Sequence, residues 1–309
     1  MSKRRASGSS TASCRASERI KEKGVTNMPV KAVQQFMLGT VMNNERQALD
    51  TMRRMKKAGY GGIELCSFML HPSGFLVKFM TKAAGMPVGN GGKLDWKRLI
   101  KESGLSVVSV HQDLGSIERD PQTAAREAKQ FQTDKIVITG MYRFPYQDAG
   151  EVRQLAGRLN RAGTALRAEG IALLYHNHNC EFLQVEPGKS AYRLLMEETD
   201  PEAVNFEFDS YWCAECGQNP LAVMDALGER MKLWHINDRG TRQTGPCMTP
   251  ILKSDSMELG KGAMPLAALT EKAKGLGVSA VILESHRNWV DRSPVKSFEV
   301  SAEFMNKYF

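Results

Sequence analysis

The chain has 309 residues, 42% of them hydrophobic, and a formal net charge of +8. No apolar run approaches the ~20 residues of a membrane span, and six cysteines in a chain this long form no dense disulfide framework. Seven basic against two acidic residues between Met1 and Asn27 carry +5 of the charge, so the basic balance belongs to a tail and no nucleic-acid groove is expected.

Residues 1–30 form that Ser-rich tail. Arg4-Arg5 is followed by no apolar stretch of a secretory signal, and the composition predicts disorder, with Met28 as an alternative start. A cytoplasmic location with reduced thiols is expected. Cys213-Ala-Glu-Cys216 is a lone CxxC pair and predicts no structural zinc.

Residues 31–309 alternate short apolar runs with helical periodicity. An apolar run spans Val33 to Gly39, and a helix is expected from Asn43 to Ala58 before Gly59. Gly62 to Cys66 is a strand candidate ending near Glu64. Ser67 to Lys93 is punctuated by Pro and Gly and reads as an irregular insertion. A helix from Leu94 to Ser103 leads to a strand from Ser106 that ends in His111 and Asp113. Asp120 caps a helix beginning at Pro121.

A strand from Asp134 to Gly140 and a long helix from Ala149 to Glu169 follow. Ile171 to Tyr175 is an uncharged apolar run that reads as a buried parallel strand, and His176, His178 and Glu181 cluster just beyond it. Further strands run to Asp209, from Met231 to Asp238, and from Ser279 to Ser285, separated by helices at Ser190–Thr199, Pro220–Leu227 and Pro265–Lys274. Arg239 to Gly262 reads as irregular, and a helix from Pro294 closes the chain. Eight strand–helix units predict a closed (β/α)₈ TIM barrel in a single domain. A doubly wound sheet is the alternative, but no Gly-rich phosphate fingerprint follows the first strand.

The reactive residues share one address. Five of six histidines, His111, His176, His178, His235 and His286, lie at strand exits, as do Glu64, Asp113, Glu181, Asp209, Asp238 and Glu284. In a barrel these exits form one rim. A single strand-end histidine is usually a hydrogen-bonded structural residue, but independent accidents would not all choose the same end. Asp209, His235 and Glu284, one each from strands six, seven and eight, suit a divalent ion. Strand five supplies the fourth ligand. Glu181 is favoured for its carboxylate, although His176 sits at the lip and Glu181 needs its loop to fold back.

Several segments occur together in order: Tyr175-His-Asn-His-Asn-Cys-Glu-Phe182, Phe208-Asp-Ser-Tyr-Trp212, Leu233-Trp-His-Ile-Asn-Asp238, Leu259-Gly-Lys-Gly262 and Leu283-Glu284. The chain from about Val33 onward resembles the sugar phosphate isomerase/epimerase family of xylose isomerase-like TIM barrels. Gly59 to Leu65 and Gly104 to His111 resemble its second and third strands. The resemblance implies a divalent metal held by Glu181, Asp209, His235 and Glu284, with His178 and His111 facing substrate. Two departures stand out: Asn237 where many members have Lys in His-x-Lys-Asp, and Lys261 in the Gly-x-Gly that often holds Glu.

The expected function is a metal-dependent isomerase or epimerase of a sugar, sugar phosphate or keto-polyol, working through a metal-stabilised enediolate. Mn²⁺ is favoured, with Co²⁺, Mg²⁺ or Zn²⁺ as alternatives. Glu181, Glu284 and His178 are the candidate acid–base groups. His111, His176, Trp212, Asp238 and Glu64 are candidate substrate contacts, with Tyr211 and Phe68 as further packing surfaces. The same site could instead eliminate a β leaving group from a keto-inositol or keto-glycoside, as a lyase or dehydratase. A sugar-binding or partner-subunit scaffold is the non-enzymatic alternative. The expected partner is a small carbohydrate, with no nucleic acid and no membrane, and homo-oligomerisation is left open.

Overall fold

The computed structural model describes residues 28–71, 91–243 and 245–309. The expected tail disorder over residues 1–27, and most of the insertion expected over residues 67–93, lie outside the described residues.

Eight parallel strands close into a barrel in sequential order. They are β1 Val30–Gln34, β2 Gly62–Cys66, β3 Ser106–His111, β4 Lys135–Thr139, β5 Ala172–His176, β6 Val204–Asp209, β7 Met231–Ile236 and β8 Ala280–Leu283. Closure comes from β1 pairing with β8, Val30 opposite Ala280 through Val33 opposite Leu283. The fold is therefore a (β/α)₈ barrel, and each crossover carries at least one helical segment.

Local chemistry sets the helix boundaries. Asn44 accepts a hydrogen bond from the Gln47 N–H at 3.0 Å and starts the helix Glu45–Ala58. Asp120 accepts from the Thr123 N–H at 2.8 Å and starts Pro121–Gln130. Two elements depart from the expected pattern. β1 begins at Val30 rather than Val33, and the apolar run Gln35–Val41 is a 3₁₀ segment, because the Gln34 side chain accepts from the Phe36 N–H and turns the chain. Within the stretch read as irregular, Asp238–Thr241 pairs antiparallel with Ser254–Met257. Both strands are almost wholly polar, so neither shows the apolar alternation that marks a strand in sequence.

Side chains alternate across each strand, so one parity faces the surrounding helices and the other fills the barrel. The inner parity holds a small apolar plug that includes Leu174, Leu233, Ala280 and Ile282. Stepping two residues along β5, β7 and β8 from that plug reaches His176, His235 and Glu284. The apolar floor thus sits directly beneath the ionisable rim.

Candidate active site

Four residues converge at the C-terminal mouth of the barrel. His176, Asp209, His235 and Glu284 each present one ligand atom, all within 4.8 Å of one another, and all four are buried. His235 Nδ1 lies 2.9 Å from Glu284 Oε2 and 3.9 Å from Asp209 Oδ2. Asp209 Oδ1 also accepts from the Trp212 N–H at 2.8 Å, capping the short helix Ser210–Glu215. One carboxylate thereby both faces the cluster and places Trp212 beside it.

A second buried group, Glu64, His111, Glu207 and His235, lies alongside and shares His235. Glu64 Oε1 accepts from Ser109 Oγ and Oε2 from Gln34 Nε2, each at 2.5 Å. Sequence reasoning did not single out Glu207. Its signal was present: Phe206-Glu-Phe-Asp209 is an alternating strand with an acid where a barrel interior is usually apolar. It also shares the inward parity of Asp209.

The charges explain each other. Burial pushes the Asp209 carboxyl up to about 6, although His176 and His235 pull against that rise. Burial also works against ionisation of Glu284, but the imidazoles of His286 and His235 outweigh it and hold the carboxyl well below its usual range. Burial likewise opposes a charge on His111, yet Glu64 and Glu207 raise it to about 10. His235 is raised well above its ordinary value by Glu207, Glu64 and Glu284 against the same desolvation. Burial, reinforced by His176, drives His178 down to about 3, so its ring is neutral.

The remaining candidates divide into those that face the cavity and those that do not. A cavity of about 1080 Å³ opens above the cluster, and His111, His176, His178, Trp212, Glu284 and His286 are among its lining residues. Trp212 lies 5.9 Å from the His178 ring and 6.3 Å from that of His286, centroid to centroid. Tyr211 and the half-exposed Phe68 also line the cavity.

Glu181, Glu64 and Asp238 are not brought to this surface. Glu181 is fully buried; Oε1 accepts from Tyr175 Oη at 2.9 Å, and Oε2 accepts from the His178 N–H at 2.9 Å. It lies outside both convergent groups, and His176 is the strand-five residue that joins Asp209, His235 and Glu284. Gly140 makes room for this arrangement, since a Cβ there would sit 2.6 Å from Glu181 Oε1. The Asp238 carboxylate accepts four main-chain N–H groups, from Arg239, Gly260, Gly262 and Met264.

The donor set fits a divalent cation. Two imidazoles and two carboxylates within one ligand sphere suit zinc, manganese and similar borderline or hard ions. Each histidine has one nitrogen engaged by a carboxylate outside the four, as metal-binding imidazoles generally do. The xylose isomerase-like TIM barrel model matches residues 52–308.

The chain belongs to that family. A stretch of 139 residues, 45% of the chain, is 25% identical to inosose dehydratase of Clostridium beijerinckii, and it spans only 41% of that enzyme. Among solved structures, a sugar phosphate isomerase/epimerase from Parabacteroides distasonis superposes with a TM-score of 0.69 at 21% identity, covering 91% of this chain and 98% of that one. A xylose isomerase-like TIM barrel protein from Mycobacterium smegmatis in complex with magnesium gives a TM-score of 0.62 at 15% identity, covering 91% and 96%. These likenesses in structure establish the family barrel. No helix among the described residues is long and apolar enough to cross a membrane.

Proposed function

We propose that this barrel is a divalent-metal-dependent enzyme that moves a proton at a carbon adjacent to the carbonyl of a keto-sugar or keto-polyol, as an isomerase or epimerase. The observation that carries the reading is the His176–Asp209–His235–Glu284 cluster at the floor of a cavity lined by the neutral His178 ring. Lewis-acid polarisation of the carbonyl oxygen is what the metal supplies when bound to those four residues. The magnesium complex of the Mycobacterium smegmatis relative supports a hard ion, and the imidazole pair equally admits zinc or manganese.

The chain's own groups do the rest. Glu284 stays ionised and lines the cavity, so it can accept the proton released from carbon. His178, neutral and with no hydrogen-bond partner on either ring nitrogen among the described residues, can donate to or accept from a substrate oxygen. Glu181 holds the His178 main chain, which fixes where that ring sits. Trp212 offers an apolar face to a sugar ring. The buried position of the cluster excludes water and strengthens every one of these interactions.

The proposal is tested by incubating the Mn²⁺-loaded protein with ketoses and keto-polyols in D₂O. Deuterium entering the carbon next to the carbonyl is expected, at unchanged substrate formula. No exchange with any keto substrate, in protein shown to hold its metal, would end the reading. Dehydration is the second reading, favoured by the partial match to an inosose dehydratase. It would appear in the same experiment as a product lighter by the mass of water.

Metal uptake should depend on pH in a defined direction. With the Asp209 carboxyl raised to about 6 in the metal-free protein, binding below that pH must displace its proton. Apparent affinity is therefore level above pH 6 as far as this group is concerned. The His235 imidazolium, held well above its ordinary value, must lose a proton as well, so affinity falls with falling pH across the whole range and by about a further tenfold per unit below pH 6. Titration with Zn²⁺ at pH 5, 6 and 7 checks this, and an affinity flat across the range would contradict it.

A further inference from the structure

The polar hairpin between β7 and β8, Asp238–Thr241 against Ser254–Met257, adds nothing to the barrel wall, yet it is fastened to the loop that follows β8. Ser256 Oγ donates to the Arg287 carbonyl oxygen at 2.8 Å, and Asn288 Nδ2 donates to the Ser256 carbonyl oxygen at 2.7 Å. Arg242 Nη2 donates to the Asn288 carbonyl oxygen at 3.2 Å. Asn288 sits at φ 58°, in the left-handed region that asparagine tolerates through its short polar side chain. The main chain at Arg287 and Asn288 is thereby held in one place.

Arg287 lines the cavity, and it follows Glu284 closely enough in the chain to keep their Cα atoms within about 11 Å. Asp255, on the hairpin, holds a single nitrogen of the guanidinium: Nε lies 2.9 Å from Oδ1 and 3.2 Å from Oδ2. Neither Nη atom has a partner among the described residues, and the side chain is 61% exposed. The fork of Nη1 and Nη2 is therefore left for a ligand. Tyr211 lines the same cavity and is 4% exposed, and its hydroxyl has no hydrogen-bond partner among the described residues. The charges of Arg287 and Asp255 act on that hydroxyl, which places the three groups together. Hydroxyls of buried side chains are nearly always partnered, so one left free on a cavity wall points to a ligand.

We propose that Arg287 and Tyr211 form a specificity subsite for a carboxylate on the substrate, so that the keto compound worked on at the metal cluster is a sugar acid. The inference rests on the metal-dependent reading above and names its substrate class. Two coplanar Nη groups match two carboxylate oxygens, and the Tyr211 hydroxyl adds a further donor. Arginine keeps its charge at every working pH, so the match depends on no titrating group. Phosphate fits less well. It carries a charge of about −1.5 to −2, while Asp255 already faces the guanidinium and no lysine is among the described lining residues. The other arginine among them, Arg126, donates to Thr123 of its own helix at 2.5 Å. A neutral sugar would leave the Arg287 fork without a charge partner.

The test is calorimetric titration of the full, Mn²⁺-loaded chain with gluconate, sorbitol and sorbitol 6-phosphate. None of these probes carries a ketone, so binding is read apart from turnover. Gluconate is expected to bind about 10–100-fold more tightly than either of the others. A smaller preference, or tighter binding of the phosphate, would overturn the proposal. Arg287→Ala should lower gluconate affinity by the same factor and abolish the preference. A preference that survives it would place the carboxylate on the metal and end the subsite. If that variant does not fold, Arg287→Lys keeps a cation beside Asp255 but loses the fork, and should show the same loss. Tyr211→Phe should cost gluconate about tenfold, and no loss would overturn its part in the subsite. Deuterium exchange without the gluconate preference would remove this inference alone. The preference without exchange on any keto substrate would remove the proton-transfer reading and leave the subsite standing.

Discussion

Glu284→Gln is expected to lower kcat/KM by about 10³-fold and to weaken metal binding at least as much as loss of a supporting residue would, while leaving the fold intact. Glu284 and Asp209 are the two anionic members of the four-residue cluster, and the substitution removes one of those charges. The amide keeps nearly the same volume, and its oxygen can still accept from His235 Nδ1, which now lies 2.9 Å from the carboxylate. Packing and that contact survive, so Tm should move by a few degrees at most. The control is Glu181→Gln. Its carboxylate lies outside the cluster, held by Tyr175 and the His178 N–H. Metal binding should then stay within a few-fold of the original, with any loss of activity traced to a misplaced His178 ring. If Glu181→Gln released the metal and Glu284→Gln did not, the ligand set proposed here would be wrong. Elemental analysis and steady-state kinetics on the two variants suffice to tell.

The barrel was legible because its signal is repetitive. Short apolar runs separated by helical periodicity recur eight times, and neither element needs long-range information to be recognised. The rim was legible for a related reason. Alternation along a strand means that a polar side chain just past an apolar run shares a face with the plug beneath it, so His176, His235 and Glu284 can be placed from spacing alone. Two things were not legible. Glu181 lies in a 3₁₀ turn, Cys180–Phe182, and the direction of its side chain depends on Tyr175, Tyr146 and the space left by Gly140 on the neighbouring strand. No local rule predicts such a three-way fit. Glu207 was hidden differently. Its shared parity with Asp209 is readable from the alternation, but an acid between Phe206 and Phe208 reads equally as the solvent-facing residue of an edge strand, and only closure of the barrel decides between the two. Asp238 is the converse case: its strand-exit position suggested a substrate contact, and the four main-chain N–H groups its carboxylate accepts come from a segment no local pattern brings to it.

Asp238→Ala is expected to destabilise the protein by about 3–5 kcal/mol, a fall in Tm of about 10 °C. The carboxylate is 1% exposed. Oδ1 accepts from the Arg239 N–H at 2.8 Å and the Met264 N–H at 3.1 Å, and Oδ2 accepts from those of Gly260 at 2.9 Å and Gly262 at 3.0 Å. Removing it strands four main-chain donors at once, and water entering the gap recovers only part of the loss. Asn should rescue little, because its amide nitrogen would face two N–H groups where an oxygen now accepts both. The approach is close on the other side as well. A Cβ on Gly262 would meet Asp238 Oδ1 at 2.4 Å and the Arg239 carbonyl oxygen at 2.5 Å, so Gly262→Ala should loosen the same segment. The two accounts of Asp238 predict different signatures. A substrate contact would raise KM at unchanged Tm, whereas the clamp lowers Tm and exposes the segment around residues 259–264 to limited proteolysis. Calorimetry on the Ala and Asn variants separates them, and a Tm within about 2 °C of the original for both would show that the four donors find other partners.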